Sequence, residues 1–294
     1  MRCKINSIFN FPNKLLIIFN GIVFKFPLPL QFNCNSTGYN TNSMDLIIDA
    51  GNTFIKTGFF ENGILVRKEV FPSAEPEKFE DFLRRSAGCC TRAIAGQVGP
   101  LSGKAKKLLR EKFNCLFLTG NTPVPVEVKY DTPQTLGADR LAGVTGAAAL
   151  FPGQDLLVID AGTSLTFDFI DKHKQYPGGA ISPGIMLRFK TLNQNTSQLP
   201  DLFAIEKADL IGTNTKTSIL SGVLNGILSE VKCTIEAYRK RFPDTKIIFT
   251  GGEYKYFVDN VKMPTFAEPD LVLTGLYVIL EYNSKQDIEN QTVK

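Results

Sequence analysis

The sequence predicts an α/β protein built from two related halves, and three observations carry that reading. A short apolar run ending in Asp-Ala-Gly occurs twice, as Asp45-Leu-Ile-Ile-Asp-Ala-Gly51 and as Asp155-Leu-Leu-Val-Ile-Asp-Ala-Gly162. Each copy continues into a β-rich stretch, residues 54–60 in the first and 165–170 in the second. Apolar residues at helical spacing fill the remainder, so each half mixes strands with helices.

Laying Asp49 on Asp160 aligns Leu46-Ile-Ile with Leu157-Val-Ile, Ala-Gly with Ala-Gly, and Thr53 with Ser164. A segment that recurs after nearly half the body suggests an internal duplication. Chance accounts for a single strand followed by Asp-Gly, but accounts less well for two with matching flanks. The first copy turns at Glu61-Asn-Gly63 into residues 64–70, a hairpin signal, and the second turns near residues 171–174. Residues 102–113 read as a helix, with Ser102 as cap and a Lys/Arg-rich outer face over Ala105, Leu108, Leu109 and Phe113. Residues 137–150 are rich in small side chains, which suits a closely packed helix. Over residues 214–241 the positions Leu220, Val223, Leu224, Ile227, Leu228, Val231 and Ile235 recur at helical spacing, and Pro243 follows the stop. A strand over 246–250 leads into Gly251-Gly252. A last helix over 270–282 precedes a polar, disordered tail at 284–294.

The body is electrostatically neutral. All of the net charge of +4 is accounted for by Arg2, Lys4, Lys14 and Lys25, because residues 1–43 contain no acid. A balanced body presents no electrostatic footprint for a nucleic-acid backbone. With 43% hydrophobic and 21% charged residues, the 294-residue chain has the composition of a globular protein of two ordinary domains. Its six cysteines include no Cys-x-x-Cys pair, and adjacent Cys89 and Cys90 read as small buried residues. The single histidine, His173, sits among Asp171, Lys172 and Lys174 in a solvated turn, which argues against a zinc centre or a histidine-based triad.

Residues 1–43 differ from the rest. Basic residues precede the apolar run Leu15-Leu-Ile-Ile-Phe19, Gly21-Ile-Val-Phe24, in the manner of a signal peptide. Asn20 and Gly21 break the run, which is short against the ~20 apolar residues of a membrane span, and residues 27–32 offer no small-x-small cleavage site. Met44 directly precedes the first strand of the body. A start assigned upstream of the true one is therefore favoured over an export signal. The expected organisation is an extension outside the fold at 1–43, half-domains at 44–152 and 153–283, and the tail.

The Asp-Ala-Gly turns suit phosphate. A strand end fixes the Asp49 carboxylate, which can hold a metal ion or its waters. Gly51 lets backbone approach a ligand, Asn52 and Thr53 supply donors, and Lys56 adds a positive charge. Asp160-Ala-Gly-Thr163-Ser repeats the pattern without the lysine. The stretch Gly103-Lys104-Ala105 is no P-loop, since Val98 stands where its first glycine belongs and Ala105 cannot hold magnesium. The segment Tyr130-Asp-Thr-Pro-Gln-Thr-Leu-Gly137-Ala-Asp139-Arg140 opens a helix whose first amides can receive an anion. There Asp139 can accept a hydroxyl proton and Arg140 can clamp a carboxylate. On spacing alone, a helix-start acid paired with its neighbouring arginine fits equally well.

Five motifs occur in order: Asp49-Ala-Gly-Asn-Thr-x-x-Lys56, Tyr130-x-x-Pro-x-x-Leu-Gly-Ala-Asp139-Arg140, Asp160-Ala-Gly-Thr163, Gly178-Gly-Ala-Ile-Ser-Pro-Gly184 and Gly212-Thr-Asn-Thr215. The set resembles the type III pantothenate kinases, of the actin-like ATPase superfamily, over residues 44–282. The resemblance implies two related actin-like, ribonuclease H-like half-domains, each a mixed sheet flanked by helices, with ATP in the cleft between them. It implies phosphorylation of pantothenate to 4′-phosphopantothenate by ATP, the first step of coenzyme A biosynthesis. Asp139 then falls at the catalytic base. Asp49, Ala50, Gly51, Asn52, Thr53, Phe54, Ile55, Lys56 and Thr163 fall at the ATP site. Tyr130, Gly137, Ala138, Asp139, Arg140 and Thr215 fall at the pantothenate site. Asp160 falls at a monovalent-cation site for K+ or NH4+, and Asp49 at Mg2+ bound with the phosphates. The implied partners are pantothenate, ATP and a second copy in a homodimer, with no nucleic acid and no membrane, in the cytoplasm. The alternatives are an actin-like kinase for another small hydroxylated acceptor, or a nucleotide-dependent regulatory protein with weak catalysis.

Overall fold

Two five-stranded sheets organise the chain, and each grows from one of the Asp-Ala-Gly strands. The computed structural model describes residues 5–11, 14–19, 22–27, 44–196, 199–202 and 205–292. Three initial strands, β1 (Ile5–Phe11), β2 (Lys14–Phe19) and β3 (Ile22–Pro27), make an antiparallel sheet of their own. Of the apolar run expected to be signal-like, residues 15–19 fall on β2 and 22–24 on β3, while Asn20 and Gly21 lie outside the described residues. Arg2, Cys3, Lys4, Cys34 and residues 28–32 lie outside the described residues.

The chain divides into two compact units. The first comprises Met1–Pro152, Lys174–Tyr176 and Asp270–Lys294, and the second Gly153–His173 and Pro177–Pro269. At the centre of the first is β4 (Met44–Ala50), the strand that ends in Asp49-Ala50. It pairs antiparallel with β5 (Phe54–Glu61), which pairs antiparallel with β6 (Ile64–Pro72) through a tight turn at Asn62 and Gly63. Both turn residues have positive φ, 49° and 80°, as a two-residue hairpin requires. On the other side of β4, β7 (Cys90–Gln97) and β8 (Cys115–Leu118) run parallel to it. Helices α1 (Pro76–Ser86) and α2 (Gly103–Phe113) bury Phe79, Phe82, Leu109 and Phe113 against Leu46, Ile48 and Phe59. Ser102 caps α2 by accepting the Ala105 amide at 3.0 Å. A short strand, β9 (Glu127–Val128), then leads towards α3 (Ala138–Leu150).

In the second unit β10 (Leu156–Ala161) takes the place of β4, and β11 (Ser164–Ile170) pairs antiparallel with it. The turn expected near residues 171–174 does not return β11 as a simple hairpin. A two-residue strand, β12 (Gln175–Tyr176), instead pairs parallel with β9, and Tyr176 is fully buried. The antiparallel partner of β11 is β13 (Gly178–Pro183). Helices α4 (Ile185–Gln194), α5 (Thr215–Leu220) and α6 (Gly226–Arg241) follow, α5 and α6 being joined by a π-helical turn, Ser221–Asn225. Next come β14 (Lys246–Thr250), α7 (Tyr254–Val261) and β15 (Phe266–Ala267). Phe167, Phe189, Leu224, Ile227, Val231 and Phe257 form the core of this unit beneath its helices.

Numbered within each five-stranded sheet, both have the strand order third, second, first, fourth, fifth. The first three strands are antiparallel neighbours and the last two run parallel to the first. The duplication read from two short motifs is thus a duplication of topology, the mixed half-domain the resemblance implies. The last helix, α8 (Leu271–Thr292), belongs to the first unit, although the sequence division places it with the second half. It crosses α3 with backbones nearly touching, since a Cβ on Gly275 would lie 1.7 Å from the Ala142 carbonyl oxygen. The helix also runs on to Thr292, where a disordered tail is expected. Arg92 of β7 forks onto the buried Asp45 of β4 at 2.8 and 2.6 Å and also pairs with Glu281 of α8. Among the described residues no helix is long and apolar enough to cross a membrane.

Candidate functional site

The site in the first unit is built at the carboxyl ends of β4 and β7. Asp49 sits opposite Lys56 on β5 and beside Gly96 on β7. It is buried, with Lys56 Nζ 4.0 Å from its carboxylate. Burial pushes the Asp49 carboxyl up to about 6; Lys56 opposes that rise and the nearby Asp139 carboxylate adds to it. The next residues turn tightly, the Gly51 amide donating to the Phe54 carbonyl at 3.0 Å. Asn52, Thr53 and Phe54 are exposed at the tip, and Ile55 is buried. The end of β7 grips this turn: the amides of Val98 and Gly99 donate to the Ala50 carbonyl at 3.0 and 2.7 Å. A Cβ on Gly99 would stand 2.0 Å from the Gly51 carbonyl oxygen, so only glycine allows that approach.

The segment from Tyr130 to Arg140 belongs to the same unit. The Lys129 amide donates to the Tyr176 carbonyl at 2.8 Å, so the β9–β12 pairing fixes the chain beside Tyr130. Pro133 opens a single 3-10 turn, Pro133–Thr135, and Gly137 is the N-cap of α3. A Cβ on Gly137 would lie 2.6 Å from Asp139 Oδ1, so the glycine leaves the carboxylate its space. That oxygen accepts the Arg140 amide at 2.8 Å. Arg140 is buried, with its guanidinium 5.6 Å from the centre of the Tyr130 ring. The fold therefore brings Asp49, Asp139, Arg140 and Tyr130 into one unit, and places Asp139 close enough to Asp49 to perturb its titration.

A cavity of about 340 Å³ lies under the start of α3. Gly137 and Ala138 form one wall, Gln97 and Val98 at the end of β7 another, and Leu118 and Thr119 at the end of β8 a third. Sequence reading missed these last four residues. The Gly99-Pro100 turn after an Ala-rich run is the one local signal that could have pointed to them.

The second unit carries the other turn. Asp160 is half-buried at the end of β10, and Thr163 follows in the turn to β11. A Cβ on Gly251, after β14, would lie 2.3 Å from Asp160 Oδ1 and 2.5 Å from the Ala161 carbonyl oxygen. The Gly184 amide donates to the Thr163 carbonyl at 3.0 Å. Glu253, not singled out in the sequence, donates its amide to the Ala161 carbonyl at 2.9 Å. Burial pushes its carboxyl up to about 7, against the lowering effect of the Ile185 amide it accepts. Its other oxygen, Oε2, is buried without a hydrogen-bond partner. Thr215, the first residue of α5, is exposed, and Asn214 and Thr217 cap that helix reciprocally.

Among the described residues no three His, Cys, Asp or Glu side chains cluster as a metal cage. The donors present fit magnesium, which takes one or two carboxylates and completes its shell from phosphate and water. Asp49 is such a carboxylate. The notch at Gly251, bounded by the Asp160 carboxylate and the Ala161 carbonyl, offers hard oxygen to a monovalent cation.

A family model described as "Type III pantothenate kinase" matches residues 45–237. A type III pantothenate kinase of Christiangramia forsetii is 41% identical over 245 residues, spanning 83% of this chain and all of the relative. One from Phocaeicola vulgatus is 43% identical over 243 residues, spanning 82% of this chain and 100% of the relative. Among solved structures, a conserved Campylobacter jejuni protein assigned to a Baf family of transcriptional activators superposes with a TM-score of 0.55. That match covers 82% of this chain and 99% of the other at 22% identity, a likeness of fold alone.

Proposed function

We propose how this chain acts from a premise its kinship establishes: it belongs to the type III pantothenate kinase family. It is accordingly a kinase that phosphorylates pantothenate with ATP in coenzyme A biosynthesis. The observation that carries the mechanism is the approach of Asp139 to Asp49 within one unit. Asp139 serves as the base, accepting the proton of the pantothenate primary hydroxyl as that oxygen attacks the γ-phosphorus and ADP departs. Gly137 keeps its carboxylate unobstructed, and the Arg140 amide holds one oxygen in place.

The turn from Asp49 to Lys56, through Ala50, Gly51, Asn52, Thr53, Phe54 and Ile55, receives the ATP phosphates, with Lys56 supplying positive charge. Thr163 is assigned to ATP as well. Tyr130, Gly137, Ala138, Arg140 and Thr215 bind pantothenate, with Arg140 braced by the Tyr130 ring. Asp49 would hold Mg2+, and Asp160 K+ or NH4+; these ions supply charge neutralisation at the transferring phosphoryl group. A cation held by Asp49 would offset the cost that burial puts on ionising it. The protein is read as cytoplasmic and as a homodimer, and size-exclusion chromatography with light scattering checks the dimer.

The test is ADP release by the purified chain with ATP and pantothenate, with and without potassium. Pantothenate-dependent turnover that rises with potassium is expected. Turnover only on some other hydroxylated acceptor would overturn the substrate.

A further inference from the structure

We propose that Gln97 is a specificity-determining residue, reading the amide of the acceptor in the cavity beside Asp139. This rests on the pantothenate kinase reading and adds a residue outside its motifs. The cavity, about 340 Å³, is at the lower end of the roughly 300–1,000 Å³ of small-molecule sites, too small for a nucleotide but adequate for a compact acceptor. None of its lining residues is charged, so it suits the neutral middle of a ligand rather than a phosphate or carboxylate. Val98, Leu118, Leu136 and Leu141 give it apolar walls. Gly137 belongs to its lining and borders the Asp139 carboxylate, so a ligand in the cavity has one end at the base.

Within those walls Gln97 has a fixed orientation. Its amide nitrogen donates one of its two hydrogens to the Gly99 carbonyl at 3.1 Å, which anchors the nitrogen end of the side chain and leaves Oε1 as an acceptor. Of the other polar lining residues, Thr119 is engaged with Thr122 through both its amide and its hydroxyl, the Thr135 hydroxyl is engaged with Thr132, and Gln134 is exposed. An acceptor oxygen in an uncharged chamber selects an N–H or O–H. Pantothenate carries one secondary amide N–H, midway between its reacting hydroxyl and its carboxylate. Gln97 Oε1 therefore accepts that N–H, while the apolar walls enclose the branched dimethyl group. Since Gly99 also clamps the Asp49 turn, the bond holding Gln97 is tied to the phosphate site.

The experiment pairs a substrate change with a residue change. The wild-type chain and Gln97→Leu are assayed with pantothenate and with its ester isostere, in which oxygen replaces the amide N–H. Wild type should prefer the amide about tenfold in kcat/KM, the worth of one uncharged hydrogen bond. Gln97→Leu should lose that preference. An amide preference that survives in Gln97→Leu overturns the assignment of Gln97. Val98→Phe, at a half-exposed position, tests the chamber independently by filling it. A raised KM for pantothenate alone is expected, and an unchanged one overturns the chamber. If wild type turns over neither acceptor, the pantothenate kinase reading has failed rather than this one.

Discussion

Asp139 occupies the second position of α3, where the Arg140 amide binds its carboxylate and Gly137 leaves it space. Asp139→Asn keeps the shape and can still accept the Arg140 amide, but it cannot take a proton. We expect ATP affinity by calorimetry to hold within about twofold while turnover falls by roughly 10²–10⁴, the usual contribution of a general base. Turnover at the wild-type rate would remove Asp139 from that role. Glu253 gives a second prediction at this scale. Its folded-state value of about 7 exceeds the ordinary carboxylate value of 4.5, so the folded protein holds a proton that the unfolded chain releases earlier. That stability is full below about 4.5 and is lost as pH rises towards about 7. Discounted for partial exposure, the loss is about 1–2 kcal/mol. Glu253→Gln removes the titration, so its melting temperature relative to wild type should rise by a few degrees from pH 5 to pH 8. A pH-independent difference would contradict the cause given.

At the scale of elements, the Asp49 turn is kept in shape by the end of β7. Gly99→Ala forces a Cβ into the Gly51 carbonyl, so the turn and the 98–99 segment must separate. The expected result is a destabilisation of about 1–3 kcal/mol and a raised KM for ATP. A normal melting curve with normal ATP kinetics would show that the contact is dispensable. That strand was itself hidden from sequence reading. Thr91-Arg-Ala-Ile-Ala-Gly96 has little β-branched or aromatic character, because small residues suffice where helices press on both faces. Where local chemistry is strong the elements were legible. The Ser102 cap, the Asn62-Gly63 turn and the apolar stripe of residues 215–241 each specify structure within a few residues. β12 was illegible for the opposite reason: two residues hold no periodicity, and their strand character comes entirely from β9.

At the scale of the whole molecule, the first unit is closed by the far end of the chain. Leu271, Val272, Leu273, Leu276, Ile279 and Leu280 of α8 are all buried. At about 1.5–3 kcal/mol for each such side chain, their loss rivals the ~5–15 kcal/mol net stability of a domain. Deleting residues 270–294 should therefore leave the first unit unfolded, read as loss of its melting transition and rapid proteolysis within residues 44–152. A truncated protein that melts like the full chain would refute this. The sequence by itself determined the duplicated strand-and-turn units, the main helices and the family. These are recorded in side-chain type over short spans, where chemistry and local geometry coincide. Only the tertiary structure decided that α8 closes the first unit, that β12 braces the approach to Tyr130, and that Gln97 and Val98 line a cavity beside Asp139. Those relations join residues far apart in the chain, and they come from packing that no local pattern encodes.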